Sequence, residues 1–281
     1  MSAIDTHAHF WDVDAFRYPW IDKGSVFDRT YSLEDYQRAS AEIPISRIVF
    51  VECDAHPECS LSEVKWIERL AATDRRIQGI VAHAQLTSNN HLGAELDILA
   101  SMPIVKGVRH NIQNNPAGFS VQTAFVHGVK EAHLRGFHFE LCLKHQQLGE
   151  AIELVKQCPE VRFVLDHCAK PDIRAGGREP WLSQLHEIAT MPNVVCKISG
   201  LVTEANWETW KPDEVLWYAQ MAGEAFGPSR IMFGSDWPVN EVAGGLLKWF
   251  RLAEALAAPW STLNRHKFFY ENAEAFYRLN T

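Results

Sequence analysis

Eight short apolar runs, separated by amphipathic stretches, constrain this chain more than any other feature. The runs cover residues 4–10, 47–53, 77–86, 105–112, 138–143, 161–167, 194–199 and 231–235. Most are nearly continuous in apolar residues, as strands buried on both faces of a parallel sheet are. Helical spacing fills the intervals 61–72, 91–100, 124–134, 147–156, 181–190, 213–225 and 246–257. In the first of these, Leu61, Val64, Ile67 and Ala71 recur at steps of three and four. Ser60 with Glu63 three residues on reads as a capping box, and Lys211-Pro212-Asp213 places a proline at a helix entry. Eight β/α units in 281 residues predict an α/β fold, a single-domain (β/α)8 TIM barrel spanning 1–281. A doubly wound open sheet is the competitor. No G-x-G-x-x-G or P-loop follows any strand, which counts against its nucleotide-binding forms.

Charge and composition exclude several roles. A net charge of -8 without a basic cluster disfavours nucleic acid as a partner. No apolar stretch approaches the roughly 18 residues of a spanning helix, so no membrane is expected. The first apolar run is broken at once by Asp5, His7 and His9 and has no basic residues before it, unlike a secretory leader. None of the six cysteines forms C-x-x-C, and Cys53, Cys142 and Cys196 lie inside apolar runs. Free buried cysteine suits a reducing compartment, and a cytoplasmic location is expected. Cys168, next to His167, reads as buried and inert.

In a parallel barrel, chemistry sits where strands end. Here every strand ends in a titratable or polar residue: His7 and His9; Glu52 and Asp54; His83; Arg109 and His110; Glu140 and Lys144; Asp166, His167 and Lys170; Lys197 and Ser199; Asp236. His7 and His9 are two apart and share a face. Arg109 and His110 are adjacent, so one of them points inward, and the sequence does not choose between them. For the pair Asp166 and His167, His167 is expected inward and Asp166 outward. His7, His9, His167 and Asp236 then compose an N₃O set suited to one divalent metal, zinc or manganese. Asp236 equally suits a general base that takes a proton from water. Arg109, Lys144, Lys170 and Lys197 would together bind an oxyanion or carboxylate. Trp11, Trp20, Trp207, Trp210 and Trp237 follow strands on the same side, and tryptophan offers an apolar face with one N–H donor. The aromatic-rich stretch 11–31 is long for a βα loop and reads as a lid or specificity loop.

Five motifs carry a resemblance: Ile4-Asp5-Thr6-His7-Ala8-His9-Phe10-Trp11 with Tyr18-Pro19-Trp20, Gly107-Val108-Arg109-His110, Leu165-Asp166-His167-Cys168-Ala169-Lys170-Pro171, Val195-Cys196-Lys197-Ile198-Ser199-Gly200-Leu201 and Phe233-Gly234-Ser235-Asp236-Trp237-Pro238. Together they resemble the amidohydrolase superfamily, and within it the sugar-lactonase group that includes L-fuconolactonases and L-rhamnonolactonases. The resemblance implies a barrel that hydrolyses the lactone of an aldonic acid in sugar catabolism. Asp236 and His167 would be catalytic, with Arg109 and His110. Trp11, Trp20, Glu52, His83, Lys144, Lys197 and Trp237 would contact substrate. His7, His9, His167 and Asp236 would hold one metal, or the histidines would act without it. Binuclear members of the superfamily use a modified lysine and a further histidine on the middle strands. The run His138-Phe139-Glu140-Leu141-Cys142-Leu143-Lys144 offers no histidine at its end, which argues against a second metal. A metal-dependent decarboxylase of an aromatic acid on the same fold is the first rival, and a non-catalytic sugar-acid binder the second. The partner expected is a small sugar lactone, with a homo-oligomer left open.

Overall fold

The computed structural model describes residues 1–87 and 91–279. Its eight strands are all parallel and follow sequence order around one sheet. They are β1 (Ala3–Ala8), β2 (Ile45–Val51), β3 (Ile77–His83), β4 (Val105–Arg109), β5 (His138–Leu141), β6 (Phe163–Leu165), β7 (Val194–Ile198) and β8 (Ile231–Phe233). A helix follows each: α1 (Leu33–Ala39), α2 (Ser60–Thr73), α3 (Leu92–Ala100), α4 (Thr123–Leu134), α5 (Leu148–Gln157), α6 (Trp181–Ala189), α7 (Pro212–Phe226) and α8 (Gly245–Ala257). This is the predicted (β/α)8 barrel. It closes through a parallel bridge between Ala8 and Trp237, where the Asp236 amide donates to the His7 carbonyl (2.8 Å) and the His9 amide to the Trp237 carbonyl (2.8 Å). Among the described residues, no helix is long and apolar enough to cross a membrane.

Two apolar layers hold the barrel. One lies between strands and helices; the other is the barrel's own lumen, filled by Ile4, Val49, Val51, Val81, Val164 and Met232. Two short helices after α8, α9 (Thr262–His266) and α10 (Asn272–Tyr277), lie beyond the last expected helix. From them Tyr277 and Leu279 enter the lumen at the end where strands begin. Helix α1 was likewise not expected. It starts on a capping box of Ser32 and Asp35, directly after the stretch 11–31 that reads as a loop.

Local chemistry shifted one helix start. The structure does not use Ser60 as a cap: a 3₁₀ turn over Pro57–Cys59 runs into α2, so Ser60 is already helical. Glu63 turns inward, where its Oε2 accepts from the Cys53 amide (3.4 Å). Pro212 does begin α7, as its fixed φ favours.

Candidate active site

The alternation of strands places lumen residues, and irregular backbone then adjusts them at the mouth. In β1 a register shift between Asp5 and Ala8 separates the lower lumen residue Ile4 from His7 and His9 at the mouth. Strand β6 ends at Leu165, and the next turn carries positive φ at His167 (52°), Cys168 (52°), Ala169 (63°) and Lys170 (46°). This turn corrects one expectation. Asp166 faces inward with the strand, and the left-handed backbone brings His167 inward beside it, so neither packs outward.

Asp236 lies at the centre. Its Oδ1 is 3.5 Å from His9 Nε2, 3.8 Å from His167 Nε2 and 3.9 Å from His7 Nε2. His9 Nδ1 donates to the Val51 carbonyl (2.8 Å), which turns its Nε2 lone pair toward Asp236. His167 Nδ1 pairs with Ser199 Oγ (2.9 Å). Burial drops His167 to about 4 and, with the nearby Lys197 charge, holds His7 well below the usual imidazole range. Burial opposes ionisation of Asp236, but the surrounding His167, His9 and His7 outweigh it and keep the carboxyl below its ordinary range. Lowered imidazoles at His7 and His167 beside a carboxyl held below its ordinary range favour the deprotonated ligands a divalent ion requires. The Nε2 of His7 is buried without a hydrogen-bond partner, and His7, His9 and Asp236 present ligand atoms within 4.8 Å of one another. The set therefore fits a divalent ion.

Glycine at 200 is required here. Its φ is +61°, and a Cβ would lie 2.5 Å from His167 Nδ1 and 2.8 Å from Asp236 Oδ2. Gly200→Ala is expected to displace both side chains and reduce kcat by about 10²-fold. Steady-state kinetics with circular dichroism check this, since the change should leave the helical signal intact.

Beneath this layer runs a buried ionic network. Arg109 Nε donates to Glu52 Oε1 (2.5 Å), its Nη2 to the Glu52 carbonyl (2.6 Å), and its Nη1 lies 3.5 Å from Asp166 Oδ2. Asp166 Oδ1 is 3.4 Å from both His7 Nδ1 and Lys197 Nζ. Lys197 Nζ donates to Glu140 Oε2 (2.5 Å), and Tyr277 OH donates to Glu140 Oε1 (2.7 Å). Burial alone would raise the Asp166 carboxyl, yet Lys197, His167 and Arg109 bring it down to about 2.

Above Asp236 opens a cavity of about 210 Å³, with His9 and His167 in its floor. Trp11, Trp20 and Val239 supply apolar wall, and Arg109, Lys170, Asp54, Asn111 and Gln113 supply polar wall. Arg109, not His110, is the member of that pair facing the site. Five residues expected at the substrate do not line this cavity. Trp237 packs behind the site against Phe10, Tyr31 and Tyr36 and is only 2% exposed. Glu52 and Lys197 are spent in the network, because a lumen this narrow buries a strand's inward charges against one another. Lys144 is exposed, at the start of a turn beyond β5. His83 lines a neighbouring cavity, as does His110, expected to be catalytic. Asn111 and Gln113 were overlooked, although they continue the period of two begun by Arg109.

Known proteins share this architecture. A model of the amidohydrolase family matches residues 4–279. An L-fucono-1,5-lactonase of Burkholderia multivorans is 30% identical over 268 residues, covering 88% of each chain. An L-rhamnono-gamma-lactonase of Scheffersomyces stipitis is 23% identical over 98% of each chain. The crystal structure of a Burkholderia multivorans amidohydrolase with bound zinc superposes with a TM-score of 0.87 at 27% identity, covering all of both chains.

Proposed function

Because the chain belongs to the amidohydrolase family, we propose that it hydrolyses the lactone of an aldonic acid, of the L-fucono- or L-rhamnono-type. The observation that carries this reading is the Asp236 carboxyl, set among three imidazole Nε2 atoms at the floor of a small polar cavity. A lactone is an activated ester whose leaving group is its own ring alkoxide. Water adds to the carbonyl carbon, the ring C–O bond breaks, and an open hydroxy acid results. Asp236 accepts the proton of the attacking water and returns it to the departing ring oxygen. A divalent ion on His7, His9, His167 and Asp236 would polarise the carbonyl as a Lewis acid. Lys170 places positive charge at the wall, which favours the developing oxyanion and the carboxylate product. Lys170 is held there by its bond to Gln113 Oε1 (2.6 Å). Trp20, packed edge to face on the buried Trp11 with centroids 5.4 Å apart, offers apolar surface to the C–H face of a sugar ring.

The test is acid release from a panel of aldonolactones, with aromatic acids as a control set. L-Fucono- or L-rhamnono-lactone should open fastest, and chelation should lower turnover by about tenfold or more, with zinc or manganese restoring it. Carbon dioxide release from an aromatic acid, with no lactone opened, would replace this reading by decarboxylation.

A further inference from the structure

A second cavity of about 210 Å³ adjoins the first on the side of β2 to β4. The two share a wall made of Asp54, Asn111 and Asn114. Beyond it lie Gln85, His110 and Asn115, with Pro19 and Pro57 as apolar faces. All of these residues follow strands, so both cavities open at the same end of the barrel.

The lining specifies a ligand chemistry. The second cavity has no arginine or lysine among its described lining residues, so it has no cation to hold a phosphate or carboxylate. Its polar groups are side-chain amides, imidazoles and the Asp54 carboxylate, which together pair with neutral hydroxyls in either sense. His110 is fixed in one of them. The Leu86 amide donates to its Nδ1 (3.2 Å), and burial keeps the ring neutral by dropping it to about 4. Its proton therefore sits on Nε2, a donor with no acceptor among the described residues. The shared wall is also built. Asp54 adopts φ 54°, a left-handed backbone that aspartate tolerates better than most side chains. Its amide donates to Glu52 Oε2 (2.6 Å), and Asn111 Nδ2 donates to its Oδ2 (3.3 Å). These contacts hold a carboxylate that lines both cavities, where hydroxyls on either side reach it.

We propose that the second cavity is a subsite for an uncharged polyhydroxylated substituent, and that the preferred substrate is a two-ring lactone, an aldonolactone bearing one further sugar. This rests on the lactone reading: the ring to be opened occupies the cavity over Asp236, and the added sugar lies across Asp54 against Gln85, His110 and Asn115. Product leaves as one acid with its glycosidic bond intact, because the hydrolysed ester lies in the first cavity.

The experiment compares kcat/KM for each aldonolactone of the panel with its O-glycosides carrying one hexose at each free ring hydroxyl. At least one glycoside should exceed its parent by tenfold or more. Gln85→Leu and Asn115→Leu, outside the first cavity, should each abolish that gain and leave the parent lactone unchanged. Two variants are used so that a folding defect in one, seen by thermal melting, leaves the other informative. Parent lactones opened at least as fast as every glycoside, or a gain that survives both variants, would overturn the subsite and leave lactone hydrolysis standing. No turnover of any lactone, single or glycosylated, would remove both.

Discussion

Asp236→Asn should reduce kcat by about 10²–10⁴ with little change in KM. Asparagine keeps the shape and the short contact to His9 but has no affinity for a proton at neutral pH. The native carboxyl is held below its ordinary range despite burial, with three imidazole Nε2 atoms around one of its oxygens. The amide should leave the fold unchanged, since the backbone N–H of Asp236, not its side chain, makes the bond to His7 that helps close the barrel. Metal content is measured on the same preparation. A variant that retains its metal yet loses turnover isolates the loss of the base. Near-normal turnover would remove Asp236 from that role.

Arg109→Ala should be the most destabilising single change in the site. The guanidinium neutralises Glu52 and lies beside Asp166, and both carboxylates are fully buried. Removing one partner of such a pair leaves an uncompensated charge, at about 3–5 kcal/mol. At roughly 2–4 °C per kcal/mol the melting temperature should fall by about 6–20 °C. Arg109→Met combined with Glu52→Gln should recover much of that loss, because the isolated charge is then gone, but it should not recover activity. Differential scanning calorimetry and lactone hydrolysis on the single and double variants separate the two effects. A single variant that melts like the parent would show that the buried pair does not stabilise the barrel.

The strands were legible because a parallel strand covered on both sides must be apolar throughout. Residues 77–86 and 105–112 accordingly contain β3 and β4, each overrun by three residues of mixed polarity at the mouth. Helices α2 to α8 were legible because each buries one stripe against the sheet. Helix α1, seven residues directly after the aromatic-rich loop, is too short for its apolar spacing to stand out, and α9 and α10 lie after the last strand, where β/α alternation has no further unit to announce. Within the site, His7 and His9 were visible from period two alone. Asp166 was misplaced because alternation assumes a strand that continues, whereas the backbone turns left-handed at the next residue. Asn111 and Gln113 obeyed alternation and were missed for being uncharged.

The order of strands and the residues at their ends follow from the chain alone, because burial dictates apolar runs and polarity accumulates where burial stops. Which charges face substrate and which face each other was decided only by the closed barrel. Glu52 and Lys197 have the same local pattern as residues at the mouth, and only the narrow lumen brings Arg109, Asp166 and Glu140 against them from distant strands. The pairing of His167 with Asp236 likewise depends on a left-handed turn after β6 and on Gly200 in the loop beyond β7, contacts set by three-dimensional packing and not by spacing along the chain.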